Sequence, residues 1–412
     1  MAILHPLKRV EAIVPNYVTR FSCVGPSCPD SCCSGWSVSI DRRTHVAYQQ
    51  IKHDHLSDRM QTKLSRNRKG HQDVTYSRVE MDTQSGDCPF MEEKLCAIQR
   101  ELGEDKLSNT CFSYPRFTTE VAGTRQQTMT LSCPEAARLA LTSADAMEFS
   151  QAGMLVRPEQ ISVVTKRWGL NPETTNTLRF ATLQILQASN LELWERLAVL
   201  GFLCDTVSNL VRKGEQAQVE AAIHQARTAC TSGAAKEALS PLRPDHAAQV
   251  IIFSELWAGR GVEAKSEVQR QVSREVAEGL GFTGQSLSTD HATLVGRYQS
   301  GLTKLHIALE GAPFVLQNYV LNDMFRELFP FEGSDATEHY RRLVVRYGIV
   351  RLMLAARCEA KERPLHLDEI VETVQVFARL HQHNAQFAKR AEESLKKANW
   401  DTLEKMFRFL RD

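Results

Sequence analysis

Eight of the eleven cysteines lie in the first 133 residues: Cys23, Cys28, Cys32, Cys33, Cys88, Cys96, Cys111 and Cys133. The rest of the chain holds three, Cys204, Cys230 and Cys358. Disulfides do not persist in a reducing compartment, so thiols this dense predict metal or redox chemistry rather than crosslinks. The asymmetry divides the chain into a cysteine-rich module over residues 1–140 and a helical domain over residues 141–412. The expected fold is mainly α: an N-terminal cysteine-rich metal or iron–sulfur module with a short β-hairpin, then a multi-helix C-terminal domain.

The chain has 412 residues, 42% of them hydrophobic, more than a single core of roughly 250–300 residues accommodates. Its formal charge of +1 gives no diffuse basic field, so no nucleic-acid partner is expected. The longest apolar run, Leu197–Cys204, is fenced by Glu195, Arg196 and Asp205, which predicts no membrane span. The first residues, MAILHPLKRVEAIVPNY, have no long apolar core of a secretory signal, and a cytoplasmic location is expected. No motif fixes the number of subunits.

Trp36–Ile40 and Val74–Met81 read as short strands, and the basic stretch Arg59–His71 as a solvated loop. Phe117–Cys133 reads as a hairpin with its tip near residue 122. A register in which paired numbers sum to 244 would set Cys111 opposite Cys133, with Cα atoms roughly 5 Å apart. Gln151–Pro158 reads as a connection. Beyond it, Thr177–Val211 predicts two helices broken at Ser189 and Asn190, Ser232–His246 a loop, and Ala247–Trp257 a helix. Pro313–Phe329 is the clearest helix, stopped by Pro330. Another begins near Asp335, with Glu338 placed for a capping box, and buries Leu343, Tyr347, Val350 and Leu354. Leu367–Lys397 continues the helical pattern.

The leading constellation is Cys23-x4-Cys28-x3-Cys32-Cys33, followed by Cys88-x7-Cys96, Cys111 and Cys133. Thiolates are soft ligands that suit zinc and iron–sulfur clusters, four to a site. Eight thiols allow one site with spares, or two. The C-x2-C knuckles usual for zinc are missing, which favours iron–sulfur, although spacing leaves both open. Tyr114 and Arg116 follow Cys111 closely and are candidates to line whatever the thiols bind. Asn318 interrupts the apolar stripe of the Pro313–Phe329 helix, so it must be hydrogen-bonded or face a pocket. Gly279, Gly281 and Gly284 match G-x-G-x-x-G, but Val268–Glu278 before them reads as helix. A dinucleotide loop must follow a strand, so these glycines read as a helix stop. The pairs His53/His55 and His381/His383 are spaced to opposite helix faces and read as surface residues.

C-V-G-P-S-C-P-D-S-C-C-S-G-W (Cys23–Trp36) resembles the cysteine signature of the flagellin lysine N-methylase (FliB) family. So do C-P-F with L-C-A-I-Q (Cys88–Gln99), L-S-N-T-C-F-S-Y-P-R (Leu107–Arg116) and L-S-C-P-E-A-A-R-L (Leu131–Leu139). V-L-Q-N-Y-V-L-N-D-M-F-R-E-L-F-P-F (Val315–Phe331) is similar to that family's helical region. One departure is Phe112, where a broader group of cysteine-cluster proteins often carries Arg. The resemblance implies S-adenosylmethionine-dependent methylation of flagellin lysines in the bacterial cytosol, and favours an iron–sulfur cluster, [4Fe-4S], over zinc.

A lysine amine with a pKa near 10.4 is neutral in only roughly one molecule in a few thousand at pH 7, so a methylating site must take its proton. The expected catalytic residues are Tyr114, Asn318 and Tyr319, with Arg116 binding the methyl donor. The C-x3-C-x2-C spacing of radical S-adenosylmethionine enzymes is absent, because Cys33 follows Cys32 directly. Rival readings are a non-catalytic metal-stapled adaptor and a cluster-based oxidoreductase.

Overall fold

A computed structural model of the chain describes residues 4–68, 72–164, 167–259, 264–283, 286–287, 290–382 and 385–412. Most of them are helical. A five-stranded mixed sheet joins the thiol-rich segments to the helical body. Its strands are β1 (Lys8–Pro15), β2 (Arg116–Val121), β3 (Thr124–Met129), β4 (Phe149–Val156) and β5 (Ile161–Val164), in the spatial order β5-β2-β3-β1-β4. β2 and β3 form the expected hairpin. Its two-residue loop, Ala122–Gly123, has φ of 47° and 81°, the left-handed pair that matches strand twist in a tight hairpin.

Two expectations fail in this sheet. Partner numbers run Arg116↔Met129 to Val121↔Thr124, one residue off the anticipated register. The ladder ends there, so Cys111 is not set opposite Cys133. Cys111 lies instead in the short helix Asn109–Ser113, whose N-cap Ser108 accepts from the Cys111 N–H at 3.2 Å. The stretch expected as a connection, Gln151–Pro158, is largely strand β4, paired along its length with β1 from Lys8↔Val156 to Pro15↔Phe149. Gly153 disguised it: a Cβ there would stand 2.5 Å from Arg9 Nε, so the glycine makes room for a neighbouring side chain rather than a turn. The sheet therefore draws strands from both sides of residue 140.

The body is organised on the helix Ala336–Ala360, which is buried along most of its length. Asp335 caps it, accepting from Glu338 N–H at 2.8 Å. The helices Glu267–Leu280 and His291–Glu310 lie directly on its backbone. A Cβ at Gly279 would stand 1.8 Å from Ala356 O, and one at Gly301 2.2 Å from Ala355 O. Gly281, at φ 77°, ends the first of these helices in the left-handed conformation. Two of the three glycines of the G-x-G-x-x-G match thus serve helix packing and termination; Gly284 lies outside the described residues.

Pro172–Leu186 and Leu193–Lys213 are the two helices expected around Ser189 and Asn190. Ser232–His246 is not all loop, since Ala234–Leu239 forms a helix within it. The clearest predicted helix spans Val315–Arg326. The last long pattern is a helix, Leu367–Phe377, a π-helical turn, Ala378–Gln382, and a second helix, Ala385–Lys397. His381, expected at the surface, is buried between the rings of Phe377 and Phe387; His383 lies outside the described residues. Cys204, Cys230 and Cys358 are buried in helices.

Between β1 and β2 the chain forms a smaller unit with its own core. Val38, Ile40, Tyr48, Leu56, Met60, Phe90, Ile98 and Leu107 pack beneath a three-stranded sheet of Ser39–Ile40, Ser77–Val79 and Leu64–Arg66. Trp36, Cys88, Cys96 and Phe112 close over that core. Among the described residues, no helix is long and apolar enough to cross a membrane.

Candidate functional site

Loops and helix starts bring five thiols to one space. Cys32, Cys33, Cys88, Cys96 and Cys111 line a cavity of about 80 Å³, walled by Trp36, Tyr48, Phe90, Leu107 and Tyr114. That is several times the roughly 10–15 Å³ a single water needs. Each thiol is fixed by local chemistry. Cys88 N–H donates to Cys33 O at 2.7 Å, pinning two thiol-bearing loops together. Trp36 Nε1 donates to Cys32 O at 2.5 Å. Cys96 ends a two-residue strand paired with Met91–Glu92 and caps the helix Ala97–Leu102, whose first N–H groups face its sulfur. Among the described residues, no three His, Cys, Asp or Glu side chains are gathered tightly enough for a single metal ion. The thiols stand around a volume instead of converging on a point.

Burial governs their protonation. It pushes the Cys88 thiol up to about 11 and that of Cys111 up to about 12, although Cys111 keeps surface open to the cavity. Cys32 is moved down, first by a hydrogen bond from Cys33 and further by the Arg379 guanidinium, while the same bond moves Cys33 up. Cys28 and Cys133 sit outside the cavity, each within electrostatic reach of the other and of Cys32; Cys23 is exposed near Cys28. Cys133 caps the helix Pro134–Leu141, and burial raises its thiol to about 12.

A second space of about 330 Å³ shares two walls with the cavity, Trp36 and Tyr114, whose rings are 5.5 Å apart. Phe112, Phe117, Thr110, Ser113, Gln127, Arg116 and Arg157 also line it. Tyr114 OH lies 3.2 Å from Ser132 Oγ, and burial raises its phenol well above the usual range. Arg116 lies over the Phe21 ring at 5.3 Å.

Asn318 and Tyr319 are elsewhere, in the core of the body. Asn318 Nδ2 donates to Ala140 O at 3.0 Å and Ser143 O at 2.9 Å, which accounts for an amide in an apolar stripe. Tyr319 is buried against Phe377. Of the three residues expected to be catalytic, Tyr114 alone borders the pocket.

Arg157, absent from the sequence expectations, is only 1% exposed. It donates to Leu107 O at 2.9 Å and Asn109 Oδ1 at 3.0 Å, and its guanidinium stacks 4.0 Å from the Phe112 ring. A cation is thus held on the Phe112 ring, supplied from just past the end of β4. The one signal for it was the Phe112 departure itself. Gln375 and Arg379, which grip Asp30 and the Cys32–Cys33 loop from the helical body, were also missed, because partners some 345 residues apart leave no local pattern.

Residues 179–409 match the profile of the FliB lysine N-methylase C-terminal domain. The chain is 23% identical over 398 residues to a protein named lysine-N-methylase from Salmonella typhimurium (strain LT2), covering 93% of this chain and 94% of that protein. A lysine-N-methylase from Salmonella choleraesuis (strain SC-B67) matches over the same shares at 23%. The flagellar biosynthetic protein FliU of Salmonella muenchen is 30% identical over 146 residues, 35% of this chain and 85% of FliU. No solved structure matches. A helical body carrying a thiol cavity beside an aromatic-walled pocket, with relatives of this kind, defines a protein-lysine methyltransferase. Since the profile covers more than half of its length, the chain belongs to the FliB lysine N-methylase family.

Proposed function

We propose that the chain methylates lysine ε-amines of flagellin with S-adenosylmethionine, using the pocket of about 330 Å³, beside a [4Fe-4S] cluster seated in the thiol cavity. The observation that carries this reading is the shared wall: Trp36 and Tyr114 face five thiols on one side and the pocket on the other. The thiol set fits a cluster better than a single ion, because a cluster's irons are spread through a volume and take one thiolate each. Zinc, which gathers four ligands around one centre, suits the arrangement less well. When bound, the cluster supplies an anionic, redox-active centre one wall away from the pocket.

The pocket's own residues account for binding and proton handling. The rings of Trp36 and Tyr114 attract a sulfonium by cation–π interaction. Arg116 is placed to pair with the donor's carboxylate, and Thr110, Ser113 and Gln127 to bond its hydroxyls. Apolar walls disfavour a charged lysine ammonium, and the neutral Tyr114 oxygen offers an acceptor that orients the amine as its proton leaves. Asn318 and Tyr319 contribute by holding the body behind the pocket. The flagellin assignment is supported by the flagellar relative FliU.

The test is to incubate anaerobically purified protein with S-adenosylmethionine and flagellin and to map lysines by mass spectrometry. Whole-methyl increments are expected. Their absence with iron and sulfide present would favour an adaptor or electron carrier, whereas methylation by a metal-free protein would remove the cluster from the reading.

A further inference from the structure

We propose that Arg379 is the positioning cation of the thiol centre, held by the helical body against the Cys32–Cys33 loop. This rests on the reading above that the cavity holds an anionic iron–sulfur cluster. Arg379 Nη2 donates to Ser31 O at 2.9 Å and to Ser34 O at 2.6 Å, the carbonyls on either side of the Cys32–Cys33 pair. Its Nε is 3.9 Å from the carboxylate of Asp30, a residue 3% exposed. One guanidinium therefore spans the loop that carries two of the five cavity thiols.

The grip is wider than one residue. Gln375 Nε2 donates at 2.9 Å both to Asp30 Oδ2 and to Ser132 O, next to Cys133. Gln269 Nε2, from the helix Glu267–Leu280, donates to Asp30 Oδ2 at 3.2 Å. Arg379 lies in the π-helical turn Ala378–Gln382, whose Gln382 turns instead to Asp323, 2.7 Å away. Single π turns recur at functional sites because the wider turn re-aims side chains that a regular helix would point elsewhere.

Asp30 is buried beside the loop, and thiolates around iron and sulfide add negative charge close by. Arg379 offsets both. Its removal would leave the carboxylate and the thiolates as buried anions, favouring loss of the cluster and penalising the reduced, more negative state. The effect of Asp30 runs the other way: neutralising it favours the reduced state.

The experiment compares wild type, Arg379→Met, Arg379→Lys and Asp30→Asn after anaerobic purification. It measures iron and sulfide per chain, the midpoint potential of the cluster by redox titration, and the thermal unfolding of each metal-free protein. Arg379→Met is expected to keep less than about half of the wild-type iron, with a more negative midpoint. Arg379→Lys should retain iron and a midpoint near wild type. Asp30→Asn should shift the midpoint to more positive values, an opposite sign that a purely structural role would not produce. If Arg379→Met does not fold, the Asp30→Asn midpoint decides. Wild-type iron and midpoint in both variants would overturn the proposal and leave the cluster reading intact. A wild-type protein without iron or sulfide would overturn both, and is told apart because the failure precedes any substitution.

Discussion

The thiol unit and the helical body are held together by different physics. The body buries a long helix, Ala336–Ala360, among neighbours that reach its backbone. The thiol unit has a small core under short strands, and burial pushes up the Cys88 and Cys111 thiols that line its cavity. Small cores are marginal, and ligand binding contributes folding free energy directly in such units. The body is thus a preformed platform, while the thiol unit is built to be completed by a ligand.

The two regions should respond to substitution separately. The largest effect concerns Cys88→Ser or Cys96→Ser. Either should abolish most cluster incorporation and raise amide exchange across residues 36–112, leaving exchange in Ala336–Ala360 unchanged; equal loss of protection in both regions would break the contrast. Leu354→Ala, in the fully buried face of the central helix, should cost about 2–5 kcal/mol in urea unfolding of the body while iron per folded chain stays constant. Tyr114→Phe removes only the hydroxyl facing Ser132 and should lower turnover about 10²-fold with cluster content and fold retained. An equal loss of iron would instead make the ring wall structural.

The smallest effect is on pH dependence. Burial raises the Glu369 carboxyl, but hydrogen bonds from Arg363 and the His366 N–H, with Lys361 nearby, outweigh it and hold the group at about 2. A carboxylate depressed in the folded state contributes stability that is present above its unfolded pKa, near 4.5, and is lost as pH falls toward 2. About 1–2 kcal/mol is expected, reduced because Arg363 is 41% exposed. Thermal unfolding from pH 6 to pH 2.5 should be flatter for Glu369→Gln by that amount, and identical slopes would remove the contribution.

The helical body was legible in the sequence because its signals are local. Apolar spacing, Asp335 before Glu338, and Pro330 after Phe329 mark helices without tertiary knowledge, and the hairpin tip at Ala122–Gly123 follows from turn chemistry. β1 and β4 were missed because their pairing joins segments far apart in the chain, and Gly153 disguised the second. The cysteines announced a thiol site by density, but not its membership. The hairpin register misled for Cys111 because a helical turn intervenes after Ser108. Arg379 had no readable signal and Arg157 only the Phe112 departure, since each acts through backbone carbonyls far away in the chain.

Gly279 and Gly301 let two helices rest on the peptide groups of a third. At such a crossing the spacing of the axes is set by the thickness of the polypeptide backbone rather than by side-chain volume. A frame fixed in this way tolerates exchange of most of its surface residues without shifting its geometry. That suits a chain aligning with a relative across 93% of its length at 23% identity.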